Sequence, residues 1–421
     1  MPRSAQKTRK PQKPYPSYPL TAHNNGQWCK KIRGKVYFFG VWATPDAALD
    51  EYLRVAADLH AGRQPRTETI SPDQVTVKEL CNHYLTHQLR KVETGEVNPR
   101  SFEDYRRTTE SFAKSVGLGR PASDLSPTDF ELYRQKIARR GLTGSGRGLG
   151  VHALTRAITI VRSIFHYAYE INLIDKPVKY GQAFERPSAA LKRKSRHASE
   201  LANGKRLFTA PEIQALLRVA ETPVRAMILL GINGGFGNTD CAHLPLIAID
   251  FEDSVVEFDR PKTGIERVVP LWPETVEALG RAVAKRPKPV DSQTAGLVFL
   301  TESGYPYVRD RIHNTNATDI ERVVTIDGIN QKFSNLLRSL GLKRKGISFY
   351  TLRHTFRTWA DEVKDQHAIH RIMGHVIPGM SGIYVEEISL DRLRAVTEHV
   401  RKKLFPPEQT APAPPQPPAA V

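Results

Sequence analysis

The chain has little of what secreted, metal-built or membrane-spanning proteins rely on. Cysteine is scarce: Cys29, Cys81 and Cys241 are the only three in 421 residues, and no two form a CxxC pair. That spacing provides neither a disulfide framework nor a zinc site, and it fits a reducing cytoplasm. No apolar run approaches the ~18 residues of a membrane span. The opening MPRSAQKTRKPQKPYP is basic but leads into no apolar region, so no secretory signal is expected. Acid is absent before Asp46, whereas residues 1–35 hold nine Lys/Arg. No internal repeat of fixed period is evident.

What is present is base. Lys and Arg number 62 against 44 Asp and Glu, a formal net charge of +18. With 40% hydrophobic residues, the chain can still bury a substantial core. Its length suits two or three domains. An acidic disordered chaperone is excluded, and the excess calls for an anionic partner, either nucleic acid or a membrane surface. Nucleic acid is the better match, because neither a strongly amphipathic basic helix nor a lipidation motif supports a membrane.

The base is unevenly placed. Residues 1–20, rich in Pro, Lys and Arg, are expected to be a disordered arm. Residues 21–62 read as a small α/β unit: strands around Gln27–Ile32 and Val36–Phe39 flank an Arg33-Gly34-Lys35 turn, and Thr44-Pro45 opens a helix. Such a unit, with Lys30, Lys31 and Arg33 on its hairpin, is either a DNA-groove reader or a folded N-terminal cap. Residues 75–185 read as a helical block opened by the Thr76–Glu79 capping box, with helices at about 77–90, 100–116, 126–140 and 150–171. Arg139 and Arg140 mark its basic side. Residues 186–206 hold seven Lys/Arg and one Glu, Lys192, Arg193, Lys194 and Arg196 among them, and read as a basic linker able to follow phosphates. A third domain, 207–405, opens at the Thr209–Glu212 capping box. It should carry strands near 254–260, 266–271 and 297–301 among helices. A Pro-rich disordered tail, 406–421, closes the chain.

The most informative stretch is 349–384. Leu352-Arg353-His354-Thr355-Phe356 is followed about twenty residues later by Met373-Gly374-His375, and Tyr384 stands nine residues after that His. Upstream, Phe258-Asp259-Arg260-Pro261-Lys262-Thr263-Gly264 and Val269-Pro270-Leu271 read as a hairpin. In this order and spacing the residues resemble the tyrosine recombinase, or phage integrase, family over roughly 207–400, and 75–185 suits that family's core-binding domain. The resemblance implies a mainly helical α+β fold, and a catalytic set of Tyr384 as nucleophile with Arg353, His375, Lys262 and Tyr350. Those residue types match the chemistry. An in-line attack on a phosphodiester builds charge on non-bridging oxygens, which a planar guanidinium can take bidentately. A histidine can donate to the same phosphate, and a lysine can protonate the leaving 5′-oxygen. No cofactor or metal is required.

Two positions depart from the family pattern. Where the family's G-L-R-x-x-E carries its first phosphate-binding Arg, the chain has Gly235-Phe236-Gly237-Asn238-Thr239-Asp240, so Gly237 replaces that Arg. Tyr350 replaces the His of H-x-L-R. Losing one preorganised donor costs roughly 3–4 kcal/mol of transition-state stabilisation. Arg225, Arg357 or a partner subunit are candidate replacement cations, and Asn233 and Asn238 candidate neutral donors.

The expectation is therefore a cytoplasmic, nucleoid-associated DNA recombinase, acting through a 3′-phosphotyrosyl intermediate as a homotetramer on double-stranded DNA. A catalytically silent DNA-binding protein of the same fold and a type IB topoisomerase-like enzyme are the alternatives. The apolar stripe Leu393, Val396, Val400 and Leu404 is read either as a helix docking on a neighbouring subunit or as one packed on its own domain.

Overall fold

The computed structural model describes residues 10–61, 74–144, 146–313, 322–377 and 387–406. It divides into two compact units, the first from the segment up to Val97 and from Asp104 to Ser188, the second from Asn98–Glu103 and Ala189 onward.

The first unit begins with a three-stranded antiparallel sheet, β1 (Thr21–Ala22), β2 (Gln27–Ile32) and β3 (Lys35–Val41), followed by α1 (Pro45–Ala61). Arg33 and Gly34 both take positive φ, the tight reversal whose twist matches antiparallel strands. Side chains alternate across the sheet. Trp28, Ile32 and Phe39 are buried in one core with Tyr52 and Val55 of α1. Lys31, Val36 and Phe38 are exposed.

The helical block holds α2 (Val77–Glu93), α3 (Pro99–Val116), α4 (Pro127–Arg140) and α5 (Val151–Glu170). At the start of α2 the expected capping box forms: Glu79 N donates to Thr76 Oγ1 at 3.3 Å, and Thr76 N to Glu79 Oε2 at 2.9 Å. Phe112, Phe130, Phe165 and Phe184 meet ring to ring at the centre. A buried ion pair lies beside them, Arg120–Asp129 at 2.6 Å. Arg120 also donates to the Asp124 carbonyl and so ties α4 to the turn before it.

In the second unit, α6 (Ala189–Asn203) has no buried residue and is followed by α7 (Ala210–Val219). The basic 186–206 segment is thus largely helical, consistent with its Ala, Leu, Lys and Arg content. Next comes α8 (Val224–Asn233), apolar on every side and buried from Ala226 to Asn233, the pattern of a helix enclosed by others. The Gly234–Gly237 loop leads to the short α9 (Asn238–Ala242). A second antiparallel sheet, β4 (Ile249–Asp250), β5 (Val255–Glu257) and β6 (Val268–Pro270), then precedes α10 (Pro273–Ala284).

A further hairpin, β7 (Val308–His313) and β8 (Arg322–Asp327), runs into α11 (Gly328–Ser339). Finally α12 (Thr351–Ala360), α13 (Gln366–Met373) and α14 (Leu390–Leu404) complete the unit.

One expectation changes, one hairpin is new, and one open reading is decided. The strand expected at 297–301 is reduced to isolated bridges, Pro245–Leu297 and Leu300–Pro306. The β7–β8 hairpin has no counterpart in the sequence reading, because Val and Ile are interspersed with Arg, Asp and Thr along it without a regular period-2 pattern. The stripe Leu393, Val396, Val400 and Leu404 is buried in the core of its own unit, beside α8 and α12, so that face is not free for a neighbouring subunit.

Candidate active site

Two turns, one hairpin and one helix bring the site together. Asp240 is its electrostatic centre, 3% exposed. Its Oδ2 accepts a 2.7 Å hydrogen bond from Gly237 N, which caps α9 at the end of the glycine-rich loop. Three buried guanidinium groups surround that carboxylate: Arg267 at 3.4 Å, Arg260 at 3.7 Å and Arg353 at 3.8 Å. Three positive charges against one negative leave the buried cluster with a surplus of two. A desolvated surplus of that kind is stabilised by an anion, and a phosphodiester supplies one.

Arg353 lies on the buried face of α12. It donates to the Gly235 carbonyl, to the Met373 carbonyl at 2.9 Å and to His375 Nε2 at 2.6 Å. These bonds join the loop after α8 to the turn after α13. Burial and the nearby Arg260 lower its proton affinity, while Asp240 and the Tyr350 hydroxyl counter them.

His375 follows Gly374, which ends α13 with φ 59° and ψ 52°. Only a glycine hydrogen fits there, because a Cβ would stand 2.9 Å from Arg260 Cβ. Burial, then Arg353, then Arg260 push the His375 imidazole down to about 4, so it is neutral at pH 7. A neutral ring whose Nε2 accepts from Arg353 carries its proton on Nδ1.

The expected hairpin forms. Phe258 N donates to the Arg267 carbonyl at 3.1 Å and Arg260 N to the Ile265 carbonyl at 2.9 Å, which leaves Lys262 exposed at the tip. Thr263 Oγ1 donates to the Gly374 carbonyl at 3.2 Å, holding that tip beside the His375 turn. Arg267 has no exposed surface. It donates to Ile372 O at 3.1 Å and Gly234 O at 2.7 Å and stacks over the Phe236 ring at 3.8 Å. Burial pushes its guanidinium down to about 9, which still leaves it charged at neutral pH. It is the tie between hairpin, glycine loop and α13.

Tyr350, 40% exposed, lies over Gly237 and edge-on to His354, with ring centroids 5.4 Å apart. Burial, then Arg206, Arg353 and Arg196, lowers the His354 imidazole, so part of the basic 186–206 segment acts on the site's rim. Tyr384 falls outside the described residues.

The residues considered as replacements for the Arg expected at position 237 are otherwise engaged. Arg225 donates to Leu217 O, and Arg357 pairs with Asp361 and Gln366. Asn233 is wholly buried and bonded to Pro270, Trp272 and Thr275, while Asn238 donates to both Asp327 oxygens.

The DNA-binding candidates are dispersed. Lys31 and Arg33 are exposed on the N-terminal hairpin, but the Lys30 ammonium sits 4.6 Å over the Tyr52 ring, on the helix side of the sheet. Arg139 and Arg140 are exposed at the end of α4. Arg193, Lys194 and Arg196 are exposed on α6, Lys192 partly so, and Arg196 pairs with Glu200 at 3.0 Å. The residues that sequence reasoning missed are Arg260 and Arg267. Their signal is charge at buried hairpin positions, visible only once the two arms are paired.

Residues 206–389 match the model of the phage integrase family. No curated protein matches. Among solved structures, the Tn1549 transposon integrase in complex with transposon right end DNA is similar at 17% identity and TM-score 0.52, over 78% of this chain and 100% of that one. A lambda integrase dimer bound to a core site is similar at 15% identity and TM-score 0.51, over 90% of this chain and 98% of that one. A lambda integrase tetramer bound to a Holliday junction is similar at 14% identity and TM-score 0.51, over 90% and 100%. Among the described residues no helix is long and apolar enough to cross a membrane. Residues 206–389 thus match the phage integrase family, and the chain shares the mainly helical fold of the tyrosine recombinases.

Proposed function

We propose that the chain is a site-specific DNA recombinase that cleaves and rejoins duplex DNA through a 3′-phosphotyrosyl intermediate. The observation that carries this reading is the convergence of Arg353, His375 and the Lys262 hairpin on one buried cluster with surplus positive charge. The similar integrases were solved on DNA, two of the three as a dimer and a tetramer. This chain accordingly acts on double-stranded DNA as a homotetramer, at the nucleoid. The outer sheet face at Lys31 and Arg33, the end of α4 and helix α6 follow the phosphates, which adds affinity without sequence choice.

In the proposed step Tyr384 Oη attacks the scissile phosphorus in line, its proton leaving to water, and the bond from phosphorus to O5′ breaks. O5′ takes a proton from Lys262, and the phosphate remains on the tyrosine as a diester. The bond energy is thereby kept for a second strand's 5′-hydroxyl to reverse the step. Arg353 holds a non-bridging oxygen, and the His375 Nδ1–H donates to the same phosphate. Tyr350 presents its hydroxyl from the rim.

The test is covalent capture. Nicked duplexes of random sequence are incubated with the chain, and protein–DNA adducts that survive denaturation are recovered and sequenced. A defined consensus that is captured by the wild type and abolished in Tyr384→Phe supports the reading. Adduct-free binding would mean a silent DNA binder, and capture without consensus would mean a relaxing enzyme.

A further inference from the structure

The recombinase reading leaves one charge unexplained. The position from which the family takes its first phosphate-binding arginine is glycine, yet the carboxylate beside it, Asp240, is buried among guanidinium groups. We infer that Arg260, from the β-hairpin, supplies the second guanidinium to the phosphate that Tyr384 attacks, in place of the side chain absent at Gly237. The inference rests on the recombinase reading and deepens it.

Four observations carry it. Arg260 is 6% exposed, and its Nε, the atom facing Asp240, is buried with no hydrogen-bond partner among the described residues. Its ion pair with Asp240, at 3.7 Å, is long and shared with two other arginines, so Asp240 holds the group without saturating it. Its backbone is fixed on both sides, with the amide bonded to Ile265 O and the carbonyl accepting from Thr263 N at 3.0 Å and Gly264 N at 2.9 Å. Finally, its aliphatic stem packs where Gly374 has no side chain, directly before His375. It therefore stands at the turn that carries His375, and its charge reaches both Arg353 and His375.

Arg267 cannot take that role. It has no exposed surface, and two of its nitrogens are committed to the carbonyls of Ile372 and Gly234; its Nη1, unpartnered and 3.4 Å from Asp240, is wholly enclosed by protein and out of reach of an anion arriving from solvent. Arg260 differs in keeping some exposed surface while its Nε has no hydrogen-bond partner among the described residues. The guanidinium thus arrives from a hairpin instead of a helix start, anchored by the same carboxylate, and a preorganised donor in a desolvated site is recovered.

The test uses the full chain on the DNA recovered by covalent capture. Arg260→Ala is expected to slow adduct formation about 10²–10³-fold, and Arg260→Lys to restore part of it. Duplex affinity should stay within about tenfold, since the variant keeps all but one of many phosphate partners. The decisive arm places a methylphosphonate at the scissile position, where the non-bridging charge is gone. There wild type and Arg260→Ala should react within about threefold of each other.

A deficit that persists on the methylphosphonate, or a variant as fast as wild type on normal DNA, overturns the inference. Should the wild type form no adduct on any DNA, the recombinase reading fails, and inorganic phosphate then decides for Arg260. Phosphate followed by the His375 ring resonances should bind wild type at least about tenfold more tightly than Arg260→Ala. Equal binding would leave Arg260 with only a structural partner in Asp240.

Discussion

The ring of Tyr350 lies against Gly237 so closely that a Cβ at position 237 would stand 3.1 Å from Cε2 and 3.2 Å from Cδ2. The two positions read in the sequence as departures from the family pattern therefore meet in space. Gly237 has φ −93°, so its backbone suits any residue, and what opposes a side chain there is the aromatic ring. Two changes that look independent along the chain are coupled by packing.

This coupling sets the first prediction. Gly237→Arg alone should form less phosphotyrosyl adduct than wild type, because the new stem displaces Tyr350. Combined with Tyr350→His, the same arginine should raise adduct yield above that of Tyr350→His. The double-mutant cycle should give a coupling of about 0.5–3 kcal/mol, read from denaturant midpoints and adduct rates. Simple additivity would mean that the ring yields freely.

Asp240→Asn should be the most damaging single isosteric change in the second unit. It leaves three buried guanidinium groups without a counter-charge, at a cost of about 3–5 kcal/mol. Urea unfolding should show the loss in the midpoint. Saturating phosphate should restore part of it, because an anion then replaces the missing carboxylate charge.

The pH dependence follows from His375. Its pKa of about 4 in the native protein lies below the 6.5 of an unfolded histidine, so between those values the unfolded chain binds more protons. Stability from this group is fully present above pH 6.5 and declines as pH falls toward 4. His375→Gln should flatten that slope. A bound phosphate favours the charged ring, so the titration of His375, followed by its ring resonances, should move upward on adding phosphate. An unmoved midpoint would place His375 outside the anion site.

At the N-terminal sheet the lysines should separate by face. Lys31→Ala and Arg33→Ala should each reduce the salt slope of duplex binding by about 0.9, the increment for one phosphate no longer neutralised. Lys30→Ala should leave the slope unchanged, because its ammonium is held over Tyr52. Titrations at several salt concentrations distinguish the two.

Much of the local structure is legible in the chain. The Thr76–Glu79 and Thr209–Glu212 boxes, the Arg33-Gly34 turn, the helices and the Lys262 hairpin all depend on neighbours a few residues apart, and their rules act at that range. The ordered motif around Arg353, His375 and Tyr384 is legible for the same reason, since its spacing lies within one stretch. The β7–β8 hairpin is not, because its strands carry mixed polar residues and are recognised only by pairing.

The basic character of the chain, most of its helices and the candidates Arg353, His375, Lys262 and Tyr384 were legible in the sequence alone, whereas the helix over Ala189–Asn203 and the part of Arg260 and Arg267 were not. The tertiary structure decided which charges share a site. Asp240, Arg260, Arg267 and Arg353 come from a loop-capped helix, the two arms of a hairpin and a distant helix, and only packing around α8 brings them within 4 Å. The same packing turned the stripe of α14 inward and put Tyr350 over Gly237. Charge at a position can be read from a chain, but the desolvation that makes three guanidinium groups require an anion exists only once the core has closed around them.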